Sequence, residues 1–371
     1  MSLRTRLDSQ DGSGLRILTL TTLQQAGLTS VRFGLPILAP FWRESLHLSL
    51  AQVGLLLGAF DLGALVLLIP LGALADRWGE PSVLAAGALF TAVTTAAVTQ
   101  ARGLGALAFL LAVAGLGYGS GQTAGAKAVA IAFRPAARGT AMGVRQSGLP
   151  LGGLIAALLL PPVAVAFGWR AAIATAAVVC AIPGVLCWVV LRNGGGPPAS
   201  PGQAFLSRIS EILRDEGIRR TTGVAMLLVV AQFCYQGYLV LYLADRFGWR
   251  KEVAAGFLVA VHLGGILGRL GWGVVSDRRY QGQRTSVLAW CAGAGAAFPL
   301  ALIALPAPAP ALLVAVVAFL GGGGAVRVER AVQQPDHRAR RAPSGRHGDG
   351  SEHDPPVRDH GGHAGALWVA R

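Results

Sequence analysis

Charge is scarce in this chain: only 13% of its 371 residues are Asp, Glu, Lys or Arg, about half the roughly 25% usual in soluble globular domains. Low charge beside 53% hydrophobic residues excludes disorder over most of the length, which needs the opposite balance. Cysteine is sparse as well. Cys180, Cys187, Cys234 and Cys291 lie in apolar runs without metal-ligand spacing, so neither a disulfide scaffold nor a metal site is expected. Lysine is confined to Lys127 and Lys251 against thirty arginines, a bias that suggests a GC-rich coding sequence. No Walker sequence and no hydrolytic triad occurs, so ATP-driven transport and catalysis lack support and no cofactor is expected. The apolar segments are continuous rather than alternating, which excludes a transmembrane barrel. A formal net charge of +14 would suit nucleic acid if the arginines formed a patch. They stand instead in short clusters between long apolar segments, which is the membrane pattern. The chain reads as an integral membrane protein with a lipid bilayer, not a nucleic acid, as its partner.

A bilayer core of about 30 Å takes about 20 apolar helical residues. That ruler gives ten spans, at 16–41, 50–73, 82–100, 104–126, 139–163, 170–191, 221–244, 253–275, 286–305 and 308–326. The first apolar run has no small-residue cleavage site and reads as a retained helix. With the N-terminus inside, the inner segments hold fourteen arginines, among them Arg4, Arg6, Arg77, Arg134, Arg138, Arg278 and Arg279. The outer loops hold six basic residues: Arg43, Arg102, Arg170, Arg246, Arg250 and Lys251. The positive excess marks the cytoplasmic side. The expected protein is a multi-pass component of the cell inner or plasma membrane with a cytoplasmic N-terminus, residues 1–15.

The longest internal connection, 192–220, opens with Asn193-Gly194-Gly195-Gly196-Pro197-Pro198, where Gly and Pro stop a helix. It reads as a cytoplasmic linker between a block of six spans, 16–191, and a block of four, 221–326. Each block contains the same motif. Gly72-Ala73-Leu74-Ala75-Asp76-Arg77 follows the second span, and Gly273-Val274-Val275-Ser276-Asp277-Arg278 follows the eighth. Duplication at equivalent positions, with Asp76 and Asp277 201 residues apart, is the mark of a parallel-repeat transporter. The two glycines are expected to let helices approach closely. Each aspartate can pair with its neighbouring arginine or meet a helix N-terminus.

These motifs resemble those of the major facilitator superfamily of secondary transporters. The resemblance departs at Glu80-Pro81, where that family usually has basic residues. The run Gly143–Gly153 in the fifth span resembles the family's glycine-proline motif with altered spacing, and the arginine of the fourth-helix motif has no clear counterpart. Over residues 15–326 the likeness implies an all-α integral membrane bundle, with a six-helix N-terminal half and an incomplete four-helix C-terminal half. It implies a secondary transporter of a small solute by alternating access, driven by a solute or a proton gradient, with no catalytic residues. The duplicated motif, Gly72, Asp76, Arg77, Gly273, Asp277 and Arg278, would then be a gate latch. A non-transporting membrane protein is the alternative.

Charges within a span are costly and point to function. At about 1.5 Å per residue, Arg32 lies beyond the middle of the first span, and Asp61 and His262 lie near the middle of theirs. Arg32 is expected either to hold substrate or to form an ion pair across helices with Asp61. Asp61 can carry a proton or pair with Arg32, and His262 can couple to protons or serve as a hydrogen-bonded structural residue. Lys127, Arg145 and Arg269 lie nearer the span ends, where long side chains reach the interface. Gln232 and Gln236, and likewise Tyr118 and Gln122, are spaced i,i+4 on one helix face. The resemblance implies that the first and fourth helices of each half line the cavity, which would include them. Gly117, Gly121 and Gly125 read as a helix-packing ridge. Arg32, Lys127 and Arg145 tilt the expected substrate toward an anionic or carboxylate-bearing solute.

From Arg327 to Arg371 the composition changes to eight arginines, six acidic residues and five histidines. No span is possible there, although the family normally has twelve. One nucleotide of frame change, with permitted GC-rich codons, can turn this string into an apolar continuation. The expectation is a disordered, out-of-frame tail over 327–371, with a natural disordered tail as the alternative, and a product that transports poorly or not at all.

Overall fold

The computed structural model describes residues 12–191, 216–279, 293, 297–307 and 309–325. All lie in a compact unit that runs to Pro335. The tail expectation for 327–371 falls outside the described residues, as do most of the 192–220 linker and half of the ninth expected span, 286–305. Among the described residues every regular element is a helix.

The N-terminal half contains α1 (Ser13–Ser45), α2 (Leu50–Val66), α3 (Leu68–Trp78), α4 (Glu80–Val98), α5 (Leu104–Leu116), α6 (Gly119–Ala132), α7 (Pro135–Gln146) and α8 (Gly148–Leu191). The C-terminal half contributes α9 (Glu216–Phe247), α10 (Lys251–Arg279) and α11 (Ala311–Ala325), with residues 297–304 also helical. Among the described residues four helical segments are long and apolar enough to cross a membrane, and a fifth is added if the bent pair α2–α3 counts as one span. The protein is a multi-pass membrane protein.

The breaks have local causes. The second span bends by 41° between α2 and α3. Pro70 stands four residues after Val66, and a proline ring clashes with the carbonyl four residues before it. Arg134, ahead of Pro135, is extended at φ −61°, ψ 152°, as a residue preceding proline must be. It separates the fourth span from the fifth. α8 carries the fifth and sixth spans together, and they meet at Gly168 with φ 83°. Only glycine reaches that conformation without strain, so one residue replaces the loop expected over 164–169. At the start of α2 Ser49 and Gln52 cap each other: the Ser49 hydroxyl accepts from the Gln52 amide at 3.2 Å, and the Gln52 side chain accepts from the Ser49 amide at 2.8 Å. Two of the helix's orphan donors are thereby satisfied.

α1 packs against α8, α6 and α4, α2 against α5, and α10 against α11 and α8. Backbones meet where glycine permits it: a methyl at Gly63 would collide with the Ala112 carbonyl, and one at Gly115 with the Phe60 carbonyl. Small residues at such crossings are how membrane helices gain contact without a hydrophobic drive between them.

The largest apolar core mixes both halves, with Leu38, Trp42, Leu56 and Trp169 joining Leu239, Leu243, Ala255 and Leu258. Three smaller cores contain N-terminal-half residues alone among those described. At one end of the molecule the halves are also joined by charge. Arg43 Nη1, at the end of α1, lies 2.6 Å from Asp245 Oδ2, and Glu44 pairs with Lys251.

Candidate transport cavity

Both halves wall a cavity of about 170 Å³. α1 contributes Arg32, Phe33, Leu35 and Pro36, and α2 contributes Gly54, Leu57, Gly58 and Asp61. Both sets repeat at three- and four-residue steps, so each is one face of its helix. The facing wall is α9, with Phe233, Cys234, Gln236, Gly237 and Tyr238.

Arg32 and Asp61 meet as a fork. Arg32 Nε donates to Asp61 Oδ1 at 2.7 Å and Nη2 to Oδ2 at 2.9 Å. The Arg32 side chain is 10% exposed and that of Asp61 39%, so the acid faces the cavity and the base is set into the wall. Charge-assisted bidentate pairs are the strong kind, with about 1.5–3 kcal/mol for each hydrogen bond to a charged group. The Phe233 ring centroid lies 3.8 Å from the guanidinium carbon, and that of Phe33 5.2 Å. The Tyr238 hydroxyl presses on Gly54, where a methyl group would collide with it.

A second hollow of about 10 Å³ adjoins the first through Phe33 and Gln236, with Gln232 and His262 in its wall. That is about the space of one water molecule. His262 is buried, tilted against Phe33 with centroids 5.0 Å apart, and its ring lies on Gly153. The structure thus brings together Arg32, Asp61, Gln232, Gln236 and His262. Tyr118 and Gln122 are not among the lining residues of either hollow. Tyr118 falls in the turn between α5 and α6 and packs edge-on to Phe60 at 5.7 Å. The wall of the larger hollow comes from the first, second and seventh spans.

The motif after the second span is arranged differently from expectation. Asp76 takes its ion pair from another helix rather than from Arg77. Lys127, on α6, binds Asp76 Oδ1 at 2.5 Å and Glu80 Oε1 at 2.7 Å, while Arg77 is exposed. Gly72 is not a close-approach site, since a methyl there would meet no described atom within 4 Å. The side chains of Asp277 and Arg278 lie outside the described residues, although their backbone continues α10.

Arg145 overturns its interfacial placement. It is 1% exposed, with Nη2 donating to Gln25 Oε1 at 3.0 Å and to the Gly121 carbonyl. Beside it Gln24 Nε2 donates to the Leu84 carbonyl at 3.2 Å and to Ser120 Oγ at 3.3 Å. The Gly117–Gly125 ridge is a packing ridge, but its groove holds polar groups. Gly117 meets Gly87, Gly121 meets Gln24 and Gln25, and Gly125 meets the Arg145 guanidinium. Sequence reasoning missed Phe233, Glu80 and the Gln24–Gln25 pair. Two adjacent glutamines within an apolar helix were the available signal for the last.

A two-half helical bundle with a cavity between its halves, and a charged pair set in that cavity's largely apolar wall, is the architecture of a membrane transporter. The Major Facilitator Superfamily model matches residues 23–328, and the chain belongs to that family. It is similar to an uncharacterised MFS-type transporter of Mycobacterium tuberculosis strain H37Rv, at 30% identity over 85% of this chain and 72% of the relative. It is also similar to a hexuronate transporter of Bacillus subtilis strain 168 (26% identity, 67% of this chain, 61% of the relative). A probable sulfoacetate transporter of Cupriavidus necator matches at 28%, over 71% of this chain and 64% of the relative. Among solved structures, a bacterial homolog of the human lysosomal transporter Spinster superposes with a TM-score of 0.69 at 18% identity, covering 89% of this chain and 77% of that one. The protein is a secondary transporter of a small solute and not an enzyme.

Proposed function

We propose that the chain carries a small organic anion across the cell membrane by alternating access, with its N-terminus on the cytoplasmic side. The observation that carries this reading is the Arg32–Asp61 fork at the wall of a cavity that both halves share. Arg32 is the anion-holding group, and Asp61 is the carboxylate that competes for it. A proton on Asp61 removes the competing charge and leaves Arg32 to the substrate, so solute and proton move together. The relatives named for a hexuronate and for sulfoacetate support an anionic cargo, because both compounds are small organic acids.

The test is uptake of radiolabelled glucuronate and sulfoacetate into vesicles with an imposed pH gradient. Uptake should rise when the side opposite the substrate is alkaline. Arg32→Ala should abolish it while leaving membrane insertion intact, and Arg32→Lys should restore only part, because an ammonium is a point charge and not a planar fork. Full uptake in Arg32→Ala overturns the reading. For orientation, tags at the N-terminus and in the 193–220 linker should both report from the cytoplasm.

A further inference from the structure

The ring that covers Arg32 comes from the other half of the molecule. Arg32 stands on α1 and its carboxylate partner on α2, whereas Phe233 stands on α9. A guanidinium carries its hydrogens in one plane and presents flat faces above and below it. Asp61 takes one edge, through Nε and Nη2. That grip fixes the edge but leaves the tilt of the plane about the shared axis less restrained. A ring at 3.8 Å from Cζ restrains that tilt and spares the hydrogen-bonding edges.

We infer that Phe233 is a positioning residue for substrate: it sets the plane in which Arg32 meets a carboxylate, and it does so from across the interface between the halves. The inference rests on the reading of Arg32 as the anion-holding group. A carboxylate is planar and pairs with guanidinium through two parallel hydrogen bonds, so its hold depends on the two planes coinciding. The contact also has a consequence for the transport cycle. Phe233 travels with α9, so movement of the C-terminal half away from α1 withdraws the ring and frees the guanidinium to turn. Once Asp61 is protonated, Arg32 grips a carboxylate well with the halves placed as described here and less well when they have shifted.

Phe233 is 40% exposed, so shortening it opens no sealed void and the variants should fold. The experiment measures glucuronate uptake by wild type, Phe233→Leu, Phe233→Tyr and Phe233→Trp, alone and in the Arg32→Lys background. Phe233→Leu should raise KM about tenfold with Vmax little changed, the scale of a partly desolvated cation–π contact. Tyrosine and tryptophan, which keep a π face, should stay within about twofold of wild type. In the Arg32→Lys background Phe233→Leu should add less than about twofold, since the plane it served is gone. A purely structural role would reduce Vmax or protein level and add equally in both backgrounds, and that result overturns the inference. Arg32-dependent uptake with an unchanged KM in Phe233→Leu overturns it while sparing the anion reading. No glucuronate uptake by wild type overturns the inference, and Arg32-dependent uptake of sulfoacetate in the same vesicles would show that the anion reading survives.

Discussion

Arg145 lies in a mould that one methyl group should spoil. A Cβ at Gly125 would stand 2.9 Å from both Nε and Nη2 of Arg145 and 3.2 Å from its Cζ. Non-bonded heavy atoms settle at about 3.5–4.0 Å, so the guanidinium must withdraw by roughly half an ångström. It has little room, because Nη2 is held by Gln25 Oε1 at 3.0 Å and by the Gly121 carbonyl. A half-ångström retreat takes the Gln25 bond to about 3.5 Å, beyond useful hydrogen-bond length. Losing one bond to a charged group costs about 1.5–3 kcal/mol, and the helix regains up to about 1 kcal/mol from replacing glycine by alanine. Gly125→Ala should therefore destabilise the protein by about 0.5–3 kcal/mol, read as a lower midpoint of thermal unfolding in a mild detergent. The decisive control is Arg145→Met, whatever effect that change has by itself. A flexible thioether can yield to the methyl, so Gly125→Ala should cost almost nothing in the Arg145→Met background. Equal destabilisation in both backgrounds, or none in either, would refute the reasoning.

Three further outcomes follow from the same geometry. Gly115→Ala drives a methyl into the Phe60 backbone carbonyl, which cannot step aside, and should cost about 1–3 kcal/mol as overpacking; Gly72→Ala meets no described atom and should be neutral or slightly stabilising in the same unfolding assay. Lys127→Met leaves the Asp76 and Glu80 carboxylates facing each other without their cation, a loss of about 1 kcal/mol at this partial exposure, and adding Glu80→Gln should recover part of it; no recovery would show that the acids do not repel. Arg43→Asp sets like charges against Asp245 and should change the uptake rate, while the swap Arg43→Asp with Asp245→Arg should restore it; a swap as impaired as the single variant would remove the pair from the transport cycle.

The spans were legible because twenty apolar residues in a row have few other uses, and Arg32 and Asp61 because a charge inside such a run is conspicuous. Their pairing was one of the two alternatives open from the sequence, with Asp61 near the middle of its span and Arg32 beyond the middle of its own. Arg145 was misread by the same ruler. Distance along the sequence placed it near a helix end, but that helix end is covered by α1 and α6, and glycines at 121 and 125 make the hollow that takes the guanidinium. No residue-by-residue scale sees a hollow made by another helix. Gly72 failed for the converse reason: a motif fixes residue identity, but whether a neighbour touches the spot depends on how the helices cross. Phe233 gave no signal, since a phenylalanine in an apolar helix looks the same whether it faces lipid or an arginine. The bend at Leu67, by contrast, was available from Pro70.

The distribution of the apolar cores has a consequence for how the chain is made. Three of the four cores need nothing beyond residue 191 among the described residues, so they can close while the ribosome is still producing the rest. Among the described residues the C-terminal half shows no such independence: Leu239, Val240, Leu243, Ala254, Leu258, Val261 and Val314 are all buried in the one core that also contains Leu38, Trp42 and Leu56. Domains that emerge first generally fold first during synthesis. Here the first half can close its three small cores early, while its share of the largest core waits for the second half. A lesion in α1 would therefore be felt twice, once in the small cores of its own half and again in the core that both halves complete.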